Sequence, residues 1–158
     1  MSRLPRLGPR GEGWLAIQIL LFWAVIATSL LGPAWDGAPR TLSTITGLVL
    51  LAGGLVLAVR GVADLGRAFT PLPHPRPDAR LVQTGVYSLV RHPIYGGVVI
   101  AALGWGLLTA SPVTLAVAVV LLGFFELKSR REETWLEERF PDYPAYRART
   151  RRLIPWIG

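Results

Sequence analysis

Apolar positions in this chain come in long unbroken runs rather than in stripes of helical or strand period. The first runs from Trp14 to Leu31, eighteen residues without a charge. As a helix rising ~1.5 Å per residue it covers ~27 Å, close to the ~30 Å hydrocarbon core of a bilayer. Arg3, Arg6 and Arg10 precede it, as in a secretory leader. The run is too long for an h-region, Pro33-Ala34-Trp35 is no small-residue cleavage site, and more runs follow, so it is expected to persist in the mature protein. The second run, Thr41 to Val59, ends at Arg60 and carries Gly47, Gly53 and Gly54. Small residues of this kind let helices approach closely in lipid, although no strict GxxxG is present.

Ile94 to Phe125 is thirty-two residues without a charge. One helix of that length would measure ~48 Å, too long for a single span. Thr109-Ala110-Ser111-Pro112 interrupts it, which predicts a tight helical hairpin: Ile94–Leu108 going out and Pro112–Phe125 returning. Phe69 to Arg80 is proline-dense (Pro71, Pro73, Pro75, Pro77) and reads as an extended or polyproline-like loop. Leu81 to Arg91 reads as a short interfacial re-entry. Glu126 to Phe140 has helix-forming composition and continues the last span outward until Pro141. The expected fold is an all-α integral membrane protein, a single membrane domain over 1–158. Its four transmembrane helices lie at about 14–31, 41–60, 94–109 and 112–127, with a C-terminal segment 128–158 outside the membrane.

Composition agrees with that pattern: 51% of residues are apolar, mean hydropathy is +0.42, and 17% are charged. Soluble domains carry about 25% charged residues. Seventeen Lys and Arg residues, sixteen of them arginine, face ten acidic ones. They flank the apolar runs, which points to topology and anionic lipid rather than to nucleic acid. With four spans, only Arg40 among the seventeen falls on the far side. The positive-inside rule therefore places both termini and the 60–93 connection in the cytoplasm. Absence of cysteine excludes disulfides, thiolate metal sites and a cysteine nucleophile. No His/Asp ligand cluster is present, so no metal is expected.

Candidate chemistry concentrates in two segments that the hairpin brings to one end of the bundle. One is Thr84 to Gly97; the other is Arg130 to Tyr146. Taken singly, each residue has an ordinary explanation. His92 beside Arg91 would suit lipid phosphates, Tyr87 and Tyr95 would serve as interfacial anchors, and Trp105 would pack between helices. Charges spaced one turn apart, as in Glu126/Arg130 and Glu133/Glu137, are usual on a solvated helix. Taken together, Tyr, His, Arg and paired Glu beneath charged loops suit a ligand with a cation, a zwitterionic end and an aromatic ring. S-adenosylmethionine is such a ligand.

The stretch from Gly85 to Pro155 resembles the isoprenylcysteine carboxyl methyltransferase family, whose superfamily includes phospholipid N-methyltransferases. The residues that carry the resemblance are Gly85, Tyr87, Arg91, His92, Pro93, Tyr95 and Gly97, then Arg130, Glu132, Glu133, Leu136, Phe140, Tyr143, Tyr146 and Pro155. Pro141 stands where the family usually has glycine. The chain is similar to compact prokaryotic members, and its first two spans match only as hydrophobic segments. The resemblance implies an S-adenosylmethionine-dependent methyltransferase with a cytoplasmic cofactor pocket formed by the last helices and the C-terminal segment. Gly85, Tyr87, Arg91, His92, Pro93, Tyr95, Glu132, Glu133 and Tyr146 would contribute to cofactor binding. Gly104-Trp105-Gly106 resembles the Gly-x-Gly of the lipid methyltransferase branch, which would add Gly104 and Gly106. Arg130 is expected to orient the acceptor head group, with Glu133 beside it as the second catalytic residue.

Methyl transfer from a sulfonium needs alignment and exclusion of water, with no metal or covalent intermediate. An acyl or prenyl tail would enter sideways from the membrane while its head meets the cofactor. The acceptor itself stays open: a prenylcysteine carboxylate, a phospholipid amine or a small thiol. Membrane lipids and an amphiphilic substrate are the expected partners, with no obligatory protein partner. A small transporter would need an ionisable site inside the first three spans, and none is there. A scaffold gripping anionic lipid would explain the arginines but not the spacing of Tyr, His and Glu.

Overall fold

The computed structural model describes residues 5, 7–36, 39–75 and 77–154. Pro155, like Arg3, Arg6 and Arg76, lies outside them. The protein is all-helical: α1 Glu12–Leu31, α2 Pro39–Leu65, α3 Pro93–Leu108, α4 Pro112–Arg139 and α5 Tyr143–Arg149. Three of these, α1, α2 and α4, are long and apolar enough to cross a membrane, and α3 is a shorter apolar helix. Leu20, Trp23, Leu30, Leu42, Val49 and Val56 point outward. Apolar side chains displayed around long helices mark an integral membrane protein.

Proline and small polar residues set the helix boundaries. Pro93 and Pro112 occupy first turns, where a missing N–H is harmless. Ser111 caps α4 by accepting a hydrogen bond from the Thr114 amide at 3.2 Å. Only residues 109–111 join α3 to α4, with Ala110 in a left-handed conformation at φ 51°. α4 continues past the apolar stretch to Arg139, and Phe140 and Pro141 end it. α2 also overruns its apolar run, passing Arg60 and closing with a short 3-10 helix at Gly66–Ala68. Arg60 and Asp64 pair one turn apart at 3.7 Å, so this overhang is polar.

Aromatic and small residues hold the bundle together. Trp14 and Phe22 of α1 meet Phe124 and Phe125 of α4 at 5.7 and 6.4 Å between ring centres. At the far end Thr28 of α1 exchanges a hydrogen bond with Thr114 of α4 at 3.1 Å, which satisfies two hydroxyls away from water. α2 packs on α3 backbone against backbone. A Cβ added to Gly54 would lie 2.5 Å from the Gly97 carbonyl oxygen, and one added to Gly97 would lie 2.6 Å from that of Gly54. Gly47 and Gly104 repeat the arrangement nearer the far end.

Candidate functional site

The charged end of the bundle is assembled from segments far apart in sequence. Gly85 turns the chain at φ 60°, and the Asp64 carboxylate at the end of α2 accepts the next amide, from Val86, at 2.8 Å. A side chain on Gly85 would collide with that carboxylate. The 3-10 helix Gly85–Ser88 follows. Residues 89–92 then pair with the C-terminal segment: the amides of Arg91 and His92 donate to the carbonyls of Arg151 and Arg152 at 2.8 and 2.9 Å. Tyr146 of α5 donates to the Tyr87 carbonyl at 2.7 Å. Gly96 completes the junction, because any Cβ there would strike the Leu153 carbonyl.

These contacts frame a cavity at the end where α1 and α3 begin, α2 ends and α4 emerges. Its polar side presents Arg91, His92, Glu132, Tyr87, Tyr143 and Tyr146. Its apolar side presents Val98, Ile94, Leu65 and Phe125 from the helices, with Gln18 of α1 among them. The proline-rich loop forms the roof through Phe69, Thr70, Pro71 and Pro75, and Leu136 and Phe140 close the rim. The loop is pinned down, since the His74 ring lies edge-on to Trp135 at 5.2 Å.

Behind the polar wall stands an ion network centred on Glu133, which is 3% exposed. Its carboxylate accepts Arg91 Nε at 2.8 Å and Arg152 Nη2 at 3.2 Å. Arg91 also donates to the carbonyls of Arg147 (3.1 Å) and Thr150, and Arg152 also reaches Glu126. One buried carboxylate thus ties α4, the Arg-His-Pro turn and the C-terminal segment together. Glu132 faces the cavity instead, where it accepts the Tyr95 hydroxyl at 2.8 Å. His92 and Tyr95 stack with ring centres 5.4 Å apart, and Tyr95 stacks on Phe125 at 4.6 Å.

Two buried polar atoms bear on ligand binding. Among the described residues Tyr143 Oη and His92 Nε2 find no hydrogen-bond partner, although His92 Nε2 lies 3.4 Å from Glu133 Oε1. Burial pushes the Tyr143 hydroxyl up, reinforced by the Glu133 carboxylate, so it stays protonated at neutral pH. Tyr87 and Tyr146 are raised by burial too. An unsatisfied hydroxyl 1% exposed is costly unless something else accepts its proton.

Of the residues singled out from sequence, Tyr87, Arg91, His92, Tyr95, Glu132 and Tyr146 line the cavity. Gly85 and Pro93 shape its frame without lining it. Glu133 stands one layer back, fully engaged by the two arginines. Three others lie elsewhere. Arg130 is 56% exposed and paired with Glu126 at 3.0 Å, because position 130 falls on the outer face of α4. Gly104 is pressed against the α2 backbone and Gly106 against Leu115, in the far half of α3, where they serve helix packing. Sequence reading missed Arg152, Lys128 and the roof. Arg152 is one arginine among many in the tail. Lys128 and Gln18 did carry a signal, as the one lysine of the chain and a lone long polar side chain inside the first apolar run.

Comparison with known proteins fits this geometry. Residues 42–143 match the phospholipid methyltransferase family. A probable protein-S-isoprenylcysteine O-methyltransferase of Oryza sativa subsp. indica is 34% identical over 115 residues, covering 70% of this chain and 60% of the relative. The cobalt-zinc-cadmium resistance protein CzcN of Cupriavidus metallidurans is 33% identical over 138 residues, 86% of this chain and 63% of the relative. The chain thus spans under two thirds of the length of both. Among solved structures, a eukaryotic intramembrane Ras methyltransferase, isoprenylcysteine carboxyl methyltransferase, superposes with a TM-score of 0.69 and 25% identity, over 96% of this chain and 55% of that one. Nearly all of α2, all of α3 and α4, and the Arg-His-Pro turn fall within residues 42–143, with α1 and the C-terminal segment outside them, and the chain belongs to the phospholipid methyltransferase family.

Proposed function

We propose that this protein is an S-adenosylmethionine-dependent methyltransferase that acts on an amphiphilic acceptor at the cytoplasmic membrane face. The observation that carries the reading is a cavity with two characters. Its lining combines Glu132, His92 and the Tyr143 hydroxyl, which has no partner among the described residues, with apolar residues of the membrane helices. The residues present fit the cofactor. Glu132 suits its ammonium or ribose hydroxyls, Tyr143 offers a proton to one of its acceptors, and the His92–Tyr95 stack offers a flat surface. When bound, the cofactor would supply an activated methyl group for in-line displacement at its carbon, with the sulfur leaving as a neutral thioether.

The chain's own residues then orient and enclose. Tyr95 fixes the Glu132 carboxylate, while the Glu133–Arg91–Arg152 network holds the Arg-His-Pro turn in register with α4. The proline loop, Leu136 and Phe140 keep water from the reacting groups. The helix-lined side admits the acceptor's tail from the bilayer, read here as four spans with both termini in the cytoplasm. The names of the rice relative and of the solved isoprenylcysteine carboxyl methyltransferase support a carboxylate acceptor. The family description supports a phospholipid amine as the second reading.

Two measurements test the proposal. Calorimetry with S-adenosylhomocysteine on protein in detergent or nanodiscs is expected to show saturable binding, and no heat at millimolar ligand would sink it. Transfer of radiolabel from the methyl donor to farnesylcysteine, phosphatidylethanolamine or a small thiol, extracted into solvent, separates the acceptor classes.

A further inference from the structure

Lys128 is the one lysine of the chain and is completely buried on α4. An ammonium withdrawn from water is tolerated only where its protons find partners. Here Nζ donates to Gln18 Oε1 of α1 and to the Pro71 carbonyl of the roof at 2.9 Å, and it sits 5.2 Å from the centre of the Tyr95 ring. Gln18, Pro71 and Tyr95 all line the cavity, and Lys128 stands behind them. One cation therefore gathers three wall elements from α1, the proline loop and α3. None of these walls belongs to the Arg91–Glu133–Arg152 network.

The place of this junction decides what it serves. Arg91, His92 and Glu132 line the cavity from the charged turn and the outer part of α4, whereas Gln18 lines it from α1, a helix apolar and long enough to cross a membrane. An apolar tail arriving from the bilayer would pass that helix. A cation is also a poor choice for mere cohesion, since apolar side chains of similar volume hold helices together at least as well. What an ammonium adds is direction: it fixes the Pro71 carbonyl and the Gln18 amide in one orientation.

We infer that Lys128 is a positioning residue for the methyl acceptor, acting through Gln18 and Pro71. The inference rests on the methyltransferase reading. Its test uses the full chain in nanodiscs, with farnesylcysteine as acceptor probe and S-adenosylhomocysteine as cofactor probe. Lys128→Met is expected to raise the acceptor KM about tenfold while changing the cofactor-product Kd by less than about twofold. Lys128→Arg is expected to recover part of the loss. Should Lys128→Met fail to fold, Gln18→Leu removes one of the ammonium's acceptors from α1 and is expected to give the same split. A folded variant with unchanged acceptor KM would overturn the inference, as would equal loss of both affinities. Wild-type protein that binds no S-adenosylhomocysteine would overturn the underlying reading instead, before any variant is made.

Discussion

The α2–α3 seam and the ion network at the charged end hold different parts of the bundle by opposite means. At the middle of the seam backbone meets backbone: Gly54 and Gly97 touch with no room for even a methyl group. At the charged end, two guanidinium groups converge on the buried Glu133 from the Arg-His-Pro turn and the C-terminal segment. In lipid, water exclusion does little to press one helix on another, so close van der Waals approach holds the seam. Where the helices leave the membrane, charged groups become affordable, and directional bonds replace contact area. The seam sets how near the helices lie, and the network sets which residues face the cavity.

Substitutions that remove one device and spare the other sharpen this contrast. Glu133→Ala is expected to have the largest effect, because it leaves the buried Arg91 guanidinium and the partly exposed Arg152 without their shared carboxylate. Breaking such a pair costs about 3–5 kcal/mol, to be seen as a large fall in the melting temperature in detergent. Gly97→Val inserts two methyl groups and a Cβ where the α2 backbone already sits, for a loss of about 1–3 kcal/mol in the same measurement. Glu132→Gln is expected to leave the melting temperature unchanged and to weaken S-adenosylhomocysteine binding about tenfold, about 1.4 kcal/mol. Should it unfold the protein instead, Glu132 belongs with Glu133 in the framework. Arg130→Ala removes an exposed pair worth less than about 1 kcal/mol, and neither folding nor cofactor affinity is expected to move.

The adjacent glutamates show where sequence reading stopped. Both stood out as cofactor ligands, and the reading gave Glu133 rather than Glu132 the catalytic role. Successive helix positions point about 100° apart, so one faces the cavity and its neighbour faces the C-terminal segment. Arg130 was misplaced for the same reason: α4 turns it outward, toward Glu126. Gly104 and Gly106 looked like part of a cofactor motif, yet the length of α3 carries them to the other end of the bundle. The proline loop read correctly as non-helical, but its return over the cavity depends on Lys128 and Trp135, which a local pattern does not reveal.

Uninterrupted apolar runs, the break at Ser111-Pro112 and the arginine asymmetry determined by themselves that this is a helical membrane protein with its chemistry at one end. Those properties follow from local composition, because a bilayer acts on each segment separately. Only the tertiary structure decided which carboxylate faces the cavity, which arginines are framework, and that a buried lysine binds the roof to the first helix. Such choices depend on side-chain direction and on partners dozens of residues away, and no run of neighbouring residues encodes either.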